Sequence, residues 1–457
     1  MVVPVFLTNI ARVLGVDKSI AYSSTARIVQ AVSSIVTIFF LSVFLNKEEQ
    51  GYYFTFSSLI GVQVFFELGM SGIITQFVAY EASHLIVNNR YEIEGDIFYK
   101  SRLASLLHFC FKWYLIIALI LFVILILIGY VFFYRFEQTS SLVEWQLPWL
   151  IICFSTVIKF FQSPFNSYIM GLGMVKEMSK ISFIQQLILP LTLWIGLWGG
   201  FKLYMVGLST FISVIIWNFY VHYSQISKIL ISIWKIPIDN RVDYIKEIFP
   251  FQWRIACSSL SGYFIFQFMN PMLFAFQGAI IAGQMGLTLS ALSGVQALSM
   301  SWLNTKVPLY SNLIALKQYS KLDKLFNLTL RQMVFVCITL MICLFIFIEL
   351  LGYFKFQIAG NLISERFLSG GVLLIMIGAY VIDQFTFSWG SYLRCHKKEP
   401  FLMMSVVTGV LCFLSIYLMS KYSTVFYVSV GYFLVKLINI PWGYFIFKNK
   451  RKVWHNI

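Results

Sequence analysis

The sequence predicts an all-α integral membrane protein, with about twelve transmembrane helices in two six-helix lobes around a central cavity. Three observations carry that expectation. Of 457 residues, 59% are hydrophobic and 12% are charged, whereas a soluble domain carries about 25% charged residues. With a mean hydropathy of +0.79 the chain is too poor in charge to cover a surface facing water. Apolar stretches recur roughly every 35–40 residues from Ser24 to Phe447, each long enough for the ~20-residue helix that crosses a bilayer. Finally, TFSSLIGVQ at Thr55–Gln63 returns as TLSALSGVQ at Thr288–Gln296, once in each half of the chain.

Residues 1–23 read as a short amphipathic arm on the membrane surface. The first span, 24–45, contains the apolar run Ile28–Leu45, too long for the core of a cleavable signal and followed by no small-x-small site. The second, 52–80, carries the repeated motif and Glu67. Spans three to six fall at 111–134, 148–170, 178–199 and 203–223, the third being apolar throughout Ile116–Val131. The second half follows with 250–275, 280–304, 331–352, 367–392, 401–420 and 424–447. Links on one side are short, the longest being 135–147 and 353–366; those on the other side, 81–110, 224–249 and 305–330, are longer. Within the last, YSNLIALKQYSKLDKLF sets Leu313, Leu316 and Leu322 among lysines, the pattern of an amphipathic surface helix.

The net charge of +15 raises the question of nucleic acid, and its distribution answers it. With both termini in the cytoplasm, six cations lie outside (Lys47, Arg135, Lys202, Lys355, Arg366, Lys421) and Lys159 and Lys436 lie mid-span. The other 26 of 34 Lys and Arg fall on or near the cytoplasmic side. That asymmetry is the positive-inside rule, so the basic excess reports orientation and no nucleic-acid partner is expected.

Two further echoes extend the repeated motif. Ala26-Arg27-Ile28 corresponds to Trp253-Arg254-Ile255, and KFFQSPFNSY (159–168) to DQFTFSWGSY (383–392). Three echoes in one order suggest a duplication of six helices, giving lobes at 1–240 and 241–457 related by an axis along the membrane normal. The third echo places Lys159 opposite Asp383 at similar depth, with two alternatives: the two pair across the cavity, or each serves separately, Lys159 for phosphate and Asp383 for a coupling proton. The motif's Thr55, Ser57 and Gly61 suit close helix packing, while Gln63 and Gln296 are too polar to face lipid.

An ionisable group at the bilayer centre costs ~2.5–3.5 kcal/mol and persists where it faces a cavity or a partner. Glu67, Lys159, Asp383 and Lys436 meet that description; Arg27, Arg254 and Lys306 stand nearer the cytoplasmic helix ends, where snorkelling is an alternative. Arg and Lys bind phosphate oxygens strongly away from bulk water. Arg27, Arg254, Lys159, Lys306 and Lys436 are therefore the candidate substrate-binding residues. A buried carboxylate exchanges protons in the working range, which makes Glu67 and Asp383 the candidates for coupling to H+ or Na+. The seven cysteines form no C-x-x-C pair, so neither zinc nor a disulfide framework is indicated. Walker A, H-E-x-x-H and G-x-S-x-G motifs are absent, no cofactor is expected, and an enzyme is not.

SSTARIVQAVSSIVTIFFLS followed by EQGYYFTFSSLIGVQVFFELG resembles the first helix pair of bacterial polysaccharide-unit (O-antigen) flippases. These belong to the multidrug/oligosaccharidyl-lipid/polysaccharide exporter superfamily. FPFQWRIACSSLSGYFIFQ and AGQMGLTLSALSGVQALSMSWLNTKVP resemble the start of that family's second lobe. The resemblance implies a transporter in the bacterial inner membrane that moves an undecaprenyl-diphosphate-linked oligosaccharide to the outer leaflet by alternating access, for lipopolysaccharide or other surface-polysaccharide assembly. It also implies membrane lipids and the polysaccharide polymerase machinery as partners. Cationic cavity residues handle the diphosphate in that family, and Arg27 and Arg254 are the matching positions here. The peptidoglycan-precursor branch has fourteen helices, and this chain lacks the extra pair. A multidrug or cation exporter of the same superfamily is the competing expectation, resting on Glu67 and Asp383. A membrane glycan polymerase or glycosyltransferase would need a larger outer loop than any present.

Overall fold

A computed structural model describes residue 29 and residues 33–88, 91–136, 143–358, 361–396 and 398–455. The expected arm at 1–23 lies outside the described residues. Every expected span is helical over most of its described length. The first is α1 (Ser33–Phe44). Asn46 then starts α2 (Lys47–Ile60) with a capping box: its side chain accepts the Glu49 N–H at 2.7 Å and Glu49 accepts the Asn46 N–H at 2.8 Å. A 3-10 turn, Gly61–Gln63, leads into the single turn α3 (Val64–Glu67). There the helix breaks: Leu68 has φ +48° and Gly69 φ +69°, and α4 (Met70–Ala82) leaves at a 42° bend. Gly69 suits the left-handed region because it has no Cβ; a Cβ there would also stand 2.2 Å from Ile255 Cγ2.

A short antiparallel hairpin, β1 (Leu85–Val87) with β2 (Ile93–Gly95), precedes the 40-residue α5 (Ile97–Phe136). Then follow α6 (Gln146–Gly171), α7 (Val175–Trp198), α8 (Tyr204–Tyr223) and the short α9 (Gln225–Trp234). The expected span 250–275 is two helices, α10 (Phe249–Phe266) and α11 (Met269–Gln277). Pro271 explains the break, because its ring excludes a helical carbonyl four residues earlier and it has no N–H to give. After α12 (Ala279–Asn304) and α13 (Val307–Ala315) comes the 35-residue α14 (Tyr319–Tyr353). A two-residue pairing of β3 (Gln357–Ile358) with β4 (Asn361–Leu362) leads to α15 (Gly370–Arg394), α16 (Leu402–Tyr422) and α17 (Val425–His455). The amphipathic helix expected at 310–326 is therefore split between the end of α13 and the start of α14. Eight described helices are long and apolar enough to cross a membrane, or nine with the bent pair counted as one span.

The described residues divide into two compact units that are not contiguous in sequence. One gathers 65–128 and 144–256; the other gathers 34–64, 129–143 and 257–457. The second unit thus joins 34–64 and 129–143 to everything from 257 onward.

In the first unit α6 packs between α4 and α8, and α7 lies against α8. Gly207 lets α8 approach α6 closely, since a Cβ there would stand 2.6 Å from the Ile152 nitrogen. Ser155 donates across that contact to the Gly207 carbonyl at 2.9 Å. Ile169, Met178, Ile181, Trp217, Val221 and Ile226 form a buried core at one end.

In the second unit α2 packs along α12. A Cβ on Gly51 would lie 2.0 Å from the Ala279 carbonyl oxygen, and one on Gly286 would lie 2.2 Å from the Phe54 ring. Gln50 Nε2 donates to the Gly283 carbonyl at 2.8 Å, two residues 233 positions apart. That is also the spacing of the repeated motif, so two positions in equivalent register lie against each other. α15 and α17 pack together, with α16 against α17. Their far end is closed by Phe326, Trp389, Tyr392 and Phe447.

Candidate functional site

The break after α3 sets a carboxylate among hydroxyls. Glu67 is the last residue of α3 and is half-buried. Its Oε1 accepts a hydrogen bond from Ser71 Oγ in the first turn of α4, and Ser163 Oγ of α6 lies 3.4 Å from the same oxygen. The two hydroxyls are 3.0 Å apart. Thr75 Oγ1 ties the same helices together, donating to the Ser71 and Ser167 carbonyls at 3.0 and 3.1 Å. Among the described residues no cation pairs with Glu67. Its described partners are neutral hydroxyls, each able to rotate between donating and accepting. Lys159 stands one helical turn before Ser163 on α6; it is exposed, and no described carboxylate lies within 4.0 Å of it.

The second unit holds the opposite arrangement, a carboxylate whose charge is already answered. Asp383 of α15 and Lys436 of α17 are 4% and 2% exposed. Lys436 Nζ lies 2.8 Å from both Asp383 carboxylate oxygens. The ammonium also sits 4.7 Å from the Phe266 ring centroid and 5.1 Å from that of Tyr432, within cation–π reach. Polar neighbours are themselves bonded: Gln384 donates to Ser299 Oγ at 2.8 Å, Ser293 pairs with Tyr380 at 3.1 Å, and Thr408 donates to Asn439 at 2.8 Å. A buried pair of this kind contributes little net stability, yet removing one partner strands the other charge.

The pairing expected between Lys159 and Asp383 is therefore corrected. Asp383 is saturated by Lys436, 53 residues along the chain, and Lys159 belongs to the other unit. The third echo aligned two positions of the repeat, and alignment in sequence does not bring side chains together. Arg27 lies outside the described residues, and of Arg254 only the backbone, within α10, is described. Lys306 is exposed at the N-cap of α13. Gln63 is half-buried, and the Gln296 amide nitrogen is buried without a hydrogen-bond partner. Ser71, Ser163, Phe266 and Tyr432 escaped the sequence reading; the four-residue step from Glu67 to Ser71 and from Lys159 to Ser163 was the available signal.

No known family profile matches the sequence, and no curated protein does. Solved structures do. The chain resembles an inward-facing conformation of a multidrug resistance MATE family transporter of the MOP superfamily, at 12% identity and a TM-score of 0.61, over 92% of this chain and 99% of that one. It resembles an outward-facing conformation of such a transporter at 13% identity and a TM-score of 0.53, over 96% and 97%. It also resembles the MATE multidrug transporter DinF-BH, solved in complex with a ligand, at 17% identity and a TM-score of 0.59, over 96% of both chains. At such identities the shared property is the fold: all-α, with about twelve transmembrane helices in two lobes.

Proposed function

We propose that this protein is a multi-pass transporter of the exporter superfamily, working by alternating access and making or breaking no covalent bond. The observation that carries the reading is the match over at least 92% of the chain to transporters in both inward- and outward-facing conformations. In this reading the lobes are 1–240 and 241–457, both termini are cytoplasmic, and the membrane is the bacterial inner membrane. Glu67 takes the coupling H+ or Na+, because its partners among the described residues are hydroxyls. Asp383, held by Lys436, keeps its lobe's interior neutral in this conformation.

Two substrate classes follow from two observations. The comparisons favour export of amphiphilic or cationic small molecules, since the neighbours are multidrug transporters and Glu67 supplies a carboxylate with no cationic partner among the described residues. Lys159, exposed and without a carboxylate partner among the described residues, favours the second class, a diphosphate-linked oligosaccharide lipid, and the sequence resemblance to polysaccharide-unit flippases points the same way. Arg27, Arg254, Lys306 and Lys436 would then be the further cations available to the diphosphate, Lys436 only after release from Asp383. Purified protein in liposomes separates the classes. Ion-gradient-driven uptake of a cationic rhodamine dye that is lost in Glu67→Gln supports the exporter. Translocation of a fluorescent polyprenyl-diphosphate oligosaccharide that is lost in Lys159→Ala supports the flippase. Failure to move either probe would defeat the transport reading.

A further inference from the structure

At one end of the second unit, two histidines that the transport reading leaves unused meet ring to ring. His396 follows α15 in the link to α16, and His455 is the last described residue of α17, beyond the span expected at 424–447. Their Nε2 atoms are 3.2 Å apart. His455 is 6% exposed and stacks on Tyr319 of α14, with centroids 4.1 Å apart and planes at 12°. His396 is half-buried beside Trp454, 4.9 Å between centroids.

The proton positions follow from the partners. His396 Nδ1 lies 3.3 Å from the Tyr392 carbonyl oxygen, which only accepts, so Nδ1 carries the proton and Nε2 of the neutral ring is a lone pair. His455 Nδ1 is buried and has no hydrogen-bond partner among the described residues. Its ring proton therefore belongs on Nε2, donated to His396. One additional proton can enter at His455 Nδ1 and leave this bond in place. A second would protonate His396 Nε2 and set two N–H donors, on two cations, against each other across 3.2 Å.

We propose that His396 and His455 form a proton-binding clasp, which ties the tip of α17 to the α15–α16 link and opens when both rings are charged. The surroundings set where this happens. Burial holds both rings below the ordinary histidine value of 6.5. Lys398 lowers His396 further and Arg451 lowers His455, while Asp323 of α14 opposes both. Asp323 is itself engaged, accepting from the Tyr392 hydroxyl at 2.6 Å with Arg451 3.9 Å away. Cys395 is turned aside, its thiol donating to the Ser391 carbonyl. A base whose folded-state pKa is depressed stabilises the fold fully above its unfolded value and loses that contribution as pH falls below it. The clasp is thus closed at neutral pH and opens on acidification. Two ring nitrogens at this spacing could also grip a transition metal, but among the described residues no third His, Cys, Asp or Glu joins them.

The chain contains five histidines, so ring-15N-histidine NMR of the full-length protein in nanodiscs can follow the pair. Between pH 7.5 and 5 the pair should charge in two steps, the second at least about tenfold weaker than the single step left in His396→Gln or His455→Gln. Hydrogen exchange over residues 448–455 should accelerate with the second step and stay flat in His396→Gln, where the tip faces a neutral amide. The wild-type curve decides alone if a variant does not fold. Rings that charge together in one step, or exchange that ignores the second proton, would overturn the proposal. A shift of both rings on adding Zn2+ at pH 7.5, without proton coupling, would also overturn it and make the pair a metal site.

Discussion

Asp383 and Glu67 are both carboxylates on membrane helices, and their partners make them behave differently. Asp383 faces a bidentate ammonium at 2.8 Å inside a cage of Phe266 and Tyr432. Losing one member of such a pair leaves a bare charge, at a cost of roughly 3–5 kcal/mol. Asp383→Ala and Lys436→Ala should each lower the melting temperature sharply, and the double alanine should recover part of the loss; additive losses would show that the two do not interact. Among the described residues Glu67 has hydroxyl partners only, and glutamine keeps an acceptor toward Ser71. Glu67→Gln should therefore cost no more than about 1 kcal/mol of stability while removing ion-driven transport, measured on one preparation. Both carboxylates were legible in the sequence as charges inside apolar spans. Their partners were not, because Lys436 and Ser163 come from helices whose neighbours only the fold decides, and an echo of the repeat had suggested Lys159 instead.

The elements show where sequence signals suffice. Gly69 and Gly72 stand just after Glu67 in the sequence, and the break between α3 and α4 falls at the first of them. The division between α10 and α11 was legible too, from Pro271, though a continuous span was expected. The boundary between packing units was not, because no composition shift marks the stretches 34–64 and 129–143 that join the second unit. What holds α2 there is the small-residue seam with α12. Gly51→Val would drive side-chain atoms into the Ala279 carbonyl, and overpacking of this kind costs about 1–3 kcal/mol. Gly72 of α4 has open space around its Cβ position. Gly72→Ala should instead stabilise by about 0.5–1 kcal/mol, as alanine does within a helix. Equal melting temperatures for the two variants would mean that the seam is not close-packed.

For the whole molecule, twelve apolar stretches and a one-sided distribution of cations were enough to expect a polytopic all-α membrane protein, and the fold agrees. Orientation rests on those cations alone. Lys202, in the link between α7 and α8, and Lys421, in the last turn of α16, are both exposed at ends expected to lie outside, so Lys202→Cys and Lys421→Cys should both react with an impermeant thiol reagent applied to intact cells. Labelling of either only after the membrane is opened would invert the topology. Alternating access is the step on which transport depends, and Lys159 offers a direct probe because its side chain is exposed on a membrane helix with no ionic partner among the described residues. In a background freed of the seven native cysteines, Lys159→Cys in oriented vesicles should react with impermeant reagents from each face in turn, with an ion gradient shifting the balance between faces. A site reachable from one face only, whatever the gradient or added substrate, would contradict alternating access.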